Sequence, residues 1–322
     1  MIHQYCRVSF TVLAARFRYL VRTILGSSML DFFKKLLQPK PKVVKLDITK
    51  RFQLVSRVGQ GSMSKVWRAI DGRTGKTVAL KLLDIEKTKR LESRFVGIKA
   101  KKPSEGEVAV TLKHPHVVQT FEHGITTNNE QYLVMEFVEG VSLSYLIDVQ
   151  NDVMKRNRLR MIIELGEAIE YFHKQNWIHR DICPRNVILD QEYSIKLIDF
   201  GLVVPNIPEF QAPGNRTGTA NYMAPELIKR QRTDQRIDIF SYAVTCYEMY
   251  AKRLPWEAAE TLDAVIQHIN TPPDDLRQHV PDIDPRVAEA IMQGLAIDPR
   301  DRWQKMGDAL DVLRNAYLDR KK

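Results

Sequence analysis

Apolar and polar positions change period along the chain. Phe52-Gln53-Leu54-Val55 alternates, as a half-buried strand does. Thr77 to Leu83 is an apolar run with one charge, Lys81, inside it, and Gln131 to Val138 is a second such run that ends in the polar step Glu139-Gly140. Both predict strands. From Leu143 onward the spacing becomes helical. Met161 to His173 sets its apolar residues on one face and its carboxylates on the other, and Leu310, Leu313 and Tyr317 repeat that spacing in a closing helix. One strand-like interval interrupts the helical part. Val187, Ile188 and Leu189 precede a polar turn, Asp190 to Ser194, and Ile195, Leu197 and Ile198 follow it, which predicts a hairpin. A strand-rich first third and a helical remainder predict an α+β chain of two lobes, a small antiparallel sheet followed by a larger helical part.

The first fifty residues follow another pattern. Phe10, Leu13, Phe17, Leu20, Val21 and Ile24 form one helical stripe flanked by Arg18 and Arg22, and Met29 to Leu37 repeats it with Lys34 and Lys35. Gln38-Pro39-Lys40-Pro41-Lys42 reads as an extended linker. Three readings stay open: peripheral contact of residues 1–37 with an anionic membrane, a disordered extension, or a native start at Met29. Arg16 and Arg18 break up the apolar region, so the layout does not suit a signal peptide.

Charge sharpens that division. The chain of 322 residues carries a net +10, and residues 1–45 hold nine basic side chains against Asp31 alone, or +8 of it. The globular part is near neutral, so the high overall charge says little about nucleic-acid binding by it, and no nucleic-acid partner is expected. Three scattered cysteines, Cys6, Cys183 and Cys246, give no zinc spacing or disulfide framework and suit a reducing, cytoplasmic setting. No apolar run reaches the eighteen residues of a membrane span.

The candidate chemistry gathers in Tyr171 to Gly201. Asp181 stands in His-Arg-Asp, Asn186 follows five residues later, and Asp199 stands in Asp-Phe-Gly. The predicted hairpin would bring Asn186 and Asp199 to one edge, where two oxygen ligands can share a cation. Upstream, Val58-Gly59-Gln60-Gly61-Ser62-Met63-Ser64-Lys65-Val66 holds two glycines one residue apart, which lets bare backbone amides approach an anion or simply makes a tight hairpin. Lys81 on its apolar strand is costly unless paired; an edge lysine reaching to solvent is the bland alternative.

Together these motifs resemble the eukaryotic-like, bacterial-type serine/threonine protein kinases, over about residues 51–315. The resemblance implies a kinase domain with a small lobe at 51–138 and a large lobe at 139–315, after an extension at 1–50 and before a tail at 316–322. It implies ATP with Mg²⁺ or Mn²⁺, and protein substrates with Ser or Thr acceptors in signalling. Lys81 would hold the phosphates and pair with Glu105, Glu107 being the fallback; Gly106 suggests that this helix is short or movable. Val58, Gly59, Gly61 and Ser64 would cover the nucleotide. Val66, Ala79, Ile188 and Met135 would enclose the adenine, with the backbone of Glu136 and Val138 at its edge, although all are equally plausible core strand residues. Asp181 would be the base, and Asn186 and Asp199 the metal ligands. Thr219, in Gly218-Thr219 before Ala224-Pro225-Glu226, would meet the acceptor. Asp238 and a Glu226–Arg302 pair would be structural, and His179 would pack near Phe200.

The chain departs from the family at Cys183, where Ser/Thr kinases usually carry a lysine. Arg185 is the expected substitute. If it fails, a pseudokinase acting as a nucleotide-binding scaffold is the alternative; a small-molecule kinase is a second. Between Leu202 and Arg216 there is no Ser, Thr or Tyr, so Thr217 is the candidate phosphosite for Arg180, unless Pro205, Pro208 and Pro213 stiffen the loop instead.

Overall fold

Five antiparallel strands form the first part of the fold in the order β1-β2-β3-β5-β4: β1 Phe52–Gln60, β2 Ser64–Asp71, β3 Thr77–Leu83, β4 Thr120–Ile125 and β5 Gln131–Glu136. The computed structural model describes residues 45–60, 64–214, 216–256 and 271–320. The expected membrane contact and the Met29 start concern residues outside these. No helix among the described residues is long and apolar enough to cross a membrane.

Alternation along β3 explains how the sheet positions Lys81. Val78, Leu80 and Leu82 point into a cluster with Phe52, Ala69, Tyr132 and Val134 on one face. Ala79 and Leu83 join the main core on the other, and Lys81 shares their face because side chains two apart project alike. The charge therefore lies on the side turned to the helical part.

Two helices lie between β3 and β4. The first, α1 (Ile85–Ser93), starts where the Asp84 carboxylate accepts the Lys87 amide at 2.9 Å. The second, α2 (Glu105–Ala109), is only five residues long and opens on a reciprocal cap between Ser104 and Glu107. The short helix expected at Gly106 is thus present. A Cβ on Gly106 would come within 2.5 Å of the His123 ring, so close packing against β4 requires glycine there.

The helical part is built on α4 (Asp152–Lys174), which follows α3 (Leu143–Val149). It packs against α5 (Arg236–Ala251) and α7 (Met306–Asp319), while α6 (Pro285–Gly294) joins α5 to α7. Met154, Leu159, Met161, Ile162, Leu165, Ile169 and Phe172 of α4 are fully enclosed. At about 1.5–3 kcal/mol for each large apolar side chain, burying that face is a major stabilising contribution to the helix's docking. The predicted hairpin forms from β8 (Val187–Leu189) and β9 (Ile195–Leu197), with β6 (Val141–Ser142) beside β8. A separate pair joins β7 (Trp177–Ile178) to β10 (Val204–Pro205).

Ordered structure extends past residues 51 and 315, the expected domain edges. The compact unit starts at Lys45 rather than residue 51. Leu46 bridges to Thr126, and Arg51 pairs with Asp71 at 2.9 Å and Glu122 at 2.8 Å, which ties this segment to the sheet. At the other end α7 continues to Asp319, so residue 315 falls inside a helix.

Candidate active site

Lys81 lies between two carboxylates. Its ammonium donates to Glu105 Oε1 at 2.6 Å and to Asp199 Oδ1 at 3.0 Å. Burial works to lower the lysine's pKa, yet Asp199 and Glu105 outweigh it and hold the ammonium above its ordinary range. Burial pushes the Glu105 carboxyl up, with Lys81 pulling against it. For Asp199 burial is overcome by Lys81, which holds the carboxyl below its usual value. The lysine is therefore a fixed cation at the sheet's inner face. Asp199 reaches it from a left-handed backbone, φ 69°, a conformation few non-glycine residues adopt.

The second half of the site is arranged around Asp181. Its Oδ1 accepts the Thr219 amide at 2.9 Å and the Thr219 hydroxyl at 2.8 Å; its Oδ2 accepts the Asn186 side-chain amide at 2.8 Å. Arg185 donates to the same Thr219 hydroxyl at 3.3 Å, and Cys183 Sγ lies 3.7 Å from it. Asp181, Arg185, Cys183 and Asn186 thus lie together around Thr219. Burial pushes the Cys183 thiol up to about 11, so it is neutral at physiological pH and supplies no charge. The guanidinium of Arg185 is the cation beside Thr219. Gly218 enables the approach: its φ is +142° and a Cβ would stand 2.9 Å from the Arg180 carbonyl oxygen.

Buried supports fix this loop. Asp238 accepts the His179 and Arg180 amides at 2.8 Å each, and a His173 ring nitrogen lies 3.0 Å away. These bonds outweigh burial and keep its carboxyl below the ordinary aspartate range. Arg180 takes a left-handed φ of 70°, and burial lowers its side chain to about 10. His179 packs edge-on to Phe200 at 6.0 Å between ring centres. Farther down, Arg302 grips both Glu226 oxygens at 2.7 Å and also donates to the Ala296, Ile297 and Arg236 carbonyls.

A cavity of about 700 Å³ connects the two halves, and its lining includes Ser64, Lys81, Glu105, Asp181, Asp199 and Thr219. Of the expected nucleotide cover, Val58 is half exposed, Gly59 pairs with Val66, Ser64 opens β2, and Gly61 lies outside the described residues. Ala79 and Met135 face each other across β3 and β5 and are buried, with Val66 and Val138 packed on the same core. Glu136 ends β5, and Ile188 sits on β8 opposite Ser142. None of these expected adenine neighbours, Val66 and Ala79 included, lines the cavity. Thr217 differs most from expectation. It is 3% exposed, and its hydroxyl is enclosed without a hydrogen-bond partner among the described residues. A phosphate there would require the loop to open first.

Two features escaped the sequence reading. One is α1, whose start was signalled by Asp84 alone. The other is Lys102, whose ammonium donates to the Gly201 carbonyl at 3.1 Å and so ties the Asp-Phe-Gly turn to the segment entering α2. Nothing local distinguishes it from Lys99 or Lys101.

Asn186 and Asp199 suit a divalent cation. The Asn186 nitrogen is committed to Asp181, to its carbonyl and its carboxylate at 2.8 Å each, which leaves the amide oxygen as the ligand atom. The Asp199 side chain is 44% exposed and commits only Oδ1 to Lys81. Among the described residues no cluster of three or more His, Cys, Asp or Glu could hold a metal alone. Two hard oxygens completed by phosphate and water are the pattern Mg²⁺ favours.

The chain is similar in sequence to several known proteins. A probable serine/threonine-protein kinase of Streptomyces coelicolor is 30% identical, aligned over 84% of this chain and 40% of its own length. The serine/threonine-protein kinase PknA of Mycobacterium tuberculosis is also 30% identical, over 84% of this chain and 62% of its own. A probable serine/threonine-protein kinase of Bifidobacterium longum is 29% identical, over 75% and 32%. The chain thus spans between about a third and two thirds of the length of these relatives. The protein kinase domain profile matches residues 52–318, which takes in both halves of the site, and the chain belongs to that family.

Proposed function

We propose that this protein transfers the γ-phosphate of ATP to Ser or Thr hydroxyls of protein substrates. Kinases of this family use ATP and a divalent metal, and the relatives are named serine/threonine kinases. The observation that carries the reading is the geometry at Thr219, held between the Asp181 carboxylate at 2.8 Å and the Arg185 guanidinium at 3.3 Å. A Ser or Thr hydroxyl entering beside Thr219 meets a carboxylate able to accept its proton and a cation able to face the phosphoryl group. Lys81, held by Glu105, presents its charge to the nucleotide's phosphates. Mg²⁺ held by Asn186 and Asp199 would neutralise phosphate charge as the bond to the leaving oxygen breaks. Val66, Ala79, Met135 and Ile188, with the backbone of Glu136 and Val138, form the adenine site, and the kinase domain runs from about Lys45 to Asp319.

The scaffold alternative has only Cys183 in its favour, and the Arg185 contact answers it. Phosphoamino-acid analysis after incubation with γ-labelled ATP and mixed acceptor proteins tests the reading. Phosphoserine and phosphothreonine are expected; phosphotyrosine alone, or no label above background, would overturn it.

A further inference from the structure

We propose that the acceptor side of this cleft selects acidic protein segments, reading carboxylates near the target hydroxyl with one face of α1. The inference rests on the kinase reading and adds its substrate class. Lys87, Arg90 and Arg94 are spaced i, i+3 and i+7, so they share one face of the helix and its C-cap. That face lines the cavity that also contains Asp181, Arg185 and Thr219. Glu86 and Lys89 of the same helix pair with each other at 3.1 Å and do not line the cavity.

The three cleft-side cations make no ion pair with any described residue, and all three are exposed. Lys102, on the same wall, is bonded to backbone carbonyls rather than to a carboxylate. Against these four cations the wall has one acid beyond the Lys81 partners, Glu92. On the cleft floor the balance tips the other way: Arg185 and Asp181 share Thr219, and the single Lys81 faces two carboxylates, Glu105 and Asp199. The imbalance is therefore local to α1 and the segment after it, although the globular part as a whole is near neutral. It also continues outward. Arg94 borders a second cavity of about 590 Å³, where Arg216 and Arg230 stand against Glu209. A concave surface of one sign raises the local concentration of oppositely charged ligands. A substrate with carboxylates beside its acceptor hydroxyl fits it, and a basic segment is repelled.

The test uses the full chain and a fluorescent serine peptide flanked by glutamates, with the same peptide flanked by glutamines as reference. Binding is read by anisotropy at low and high salt. The expected result is about ten-fold tighter binding of the glutamate peptide, with the preference shrinking as salt screens it. The triple variant K87E/R90E/R94E is expected to lose the preference, while K89E, a charge reversal outside the cavity lining, keeps it. Should the triple variant not fold, R90Q and R94Q singly are expected to reduce the preference in part. Equal binding of both peptides by wild type, or a preference unchanged in the cleft-face variants, overturns the inference. Phosphate transfer to the same peptides is measured in parallel. A salt-sensitive preference without transfer would overturn the kinase reading while supporting the basic, acid-selecting surface.

Discussion

The Glu226–Arg302 pair and the Lys81–Glu105–Asp199 cluster are both buried charge networks, but they are satisfied to different degrees. Arg302 meets two carboxylate oxygens and three backbone carbonyls, and nothing about it remains to be filled. Lys81 is shared between two carboxylates, one of which, Asp199, is 44% exposed at its side chain and lines the cavity. The first network holds the helical part together. The second holds charges in position while leaving oxygens for something that enters. Removing one partner of a saturated buried pair strands the other, which costs folding free energy. Removing a group from the open network costs transition-state stabilisation, with less effect on folding.

That difference is open to direct attack. The largest loss of stability is expected from Arg302→Ala, about 3–5 kcal/mol in urea denaturation, because Glu226 is left charged and unpaired. Lys81→Ala is expected to lower kcat on the order of 10²–10³-fold while the urea midpoint falls far less than for Arg302→Ala. A smaller effect, roughly ten-fold to a hundred-fold in kcat with KM for ATP nearly unchanged, is expected for Arg185→Ala if its cation replaces the missing lysine; full activity would contradict that substitution.

Lys102→Met should lower kcat by about five-fold, the equivalent of about 1 kcal/mol for one hydrogen bond. Lys102→Arg should restore it, as a merely space-filling role would not require. Burial lowers the Lys102 pKa below its ordinary range, so its positive charge, and the charge-assisted strength of its hydrogen bond, is lost earlier than an ordinary lysine's as pH rises. Lys102→Arg should therefore extend the alkaline limb of the kcat profile.

The parts of this structure legible in the sequence are those set by short-range rules. The β8–β9 hairpin followed from apolar runs on either side of Asp190 to Ser194, and Ile198 even adds a bond to the Asn186 carbonyl at 2.8 Å beyond its stem. The expected partners of Lys81 and Arg302 came from the resemblance to the kinase family, not from local pattern alone. What stayed hidden depends on surfaces that meet only after folding. Gly106 reads as a helix flaw until the His123 ring is seen against it. Thr217 reads as an accessible hydroxyl until the loop buries it. Lys102 is one of three nearby lysines, and only the position of the Gly201 carbonyl singles it out. The basic face of α1 was in the sequence at helical spacing, but no pattern said which cavity it would line.

The central claim is that Asp181 orients and deprotonates an acceptor hydroxyl next to Thr219. Single-turnover phosphate transfer by Asp181→Asn, with its thermal midpoint measured alongside, tests it most directly. The account predicts a rate lowered by about 10²–10⁴-fold in a protein that binds nucleotide and melts nearly as wild type does. A folded Asp181→Asn protein that transfers phosphate at the wild-type rate would contradict it.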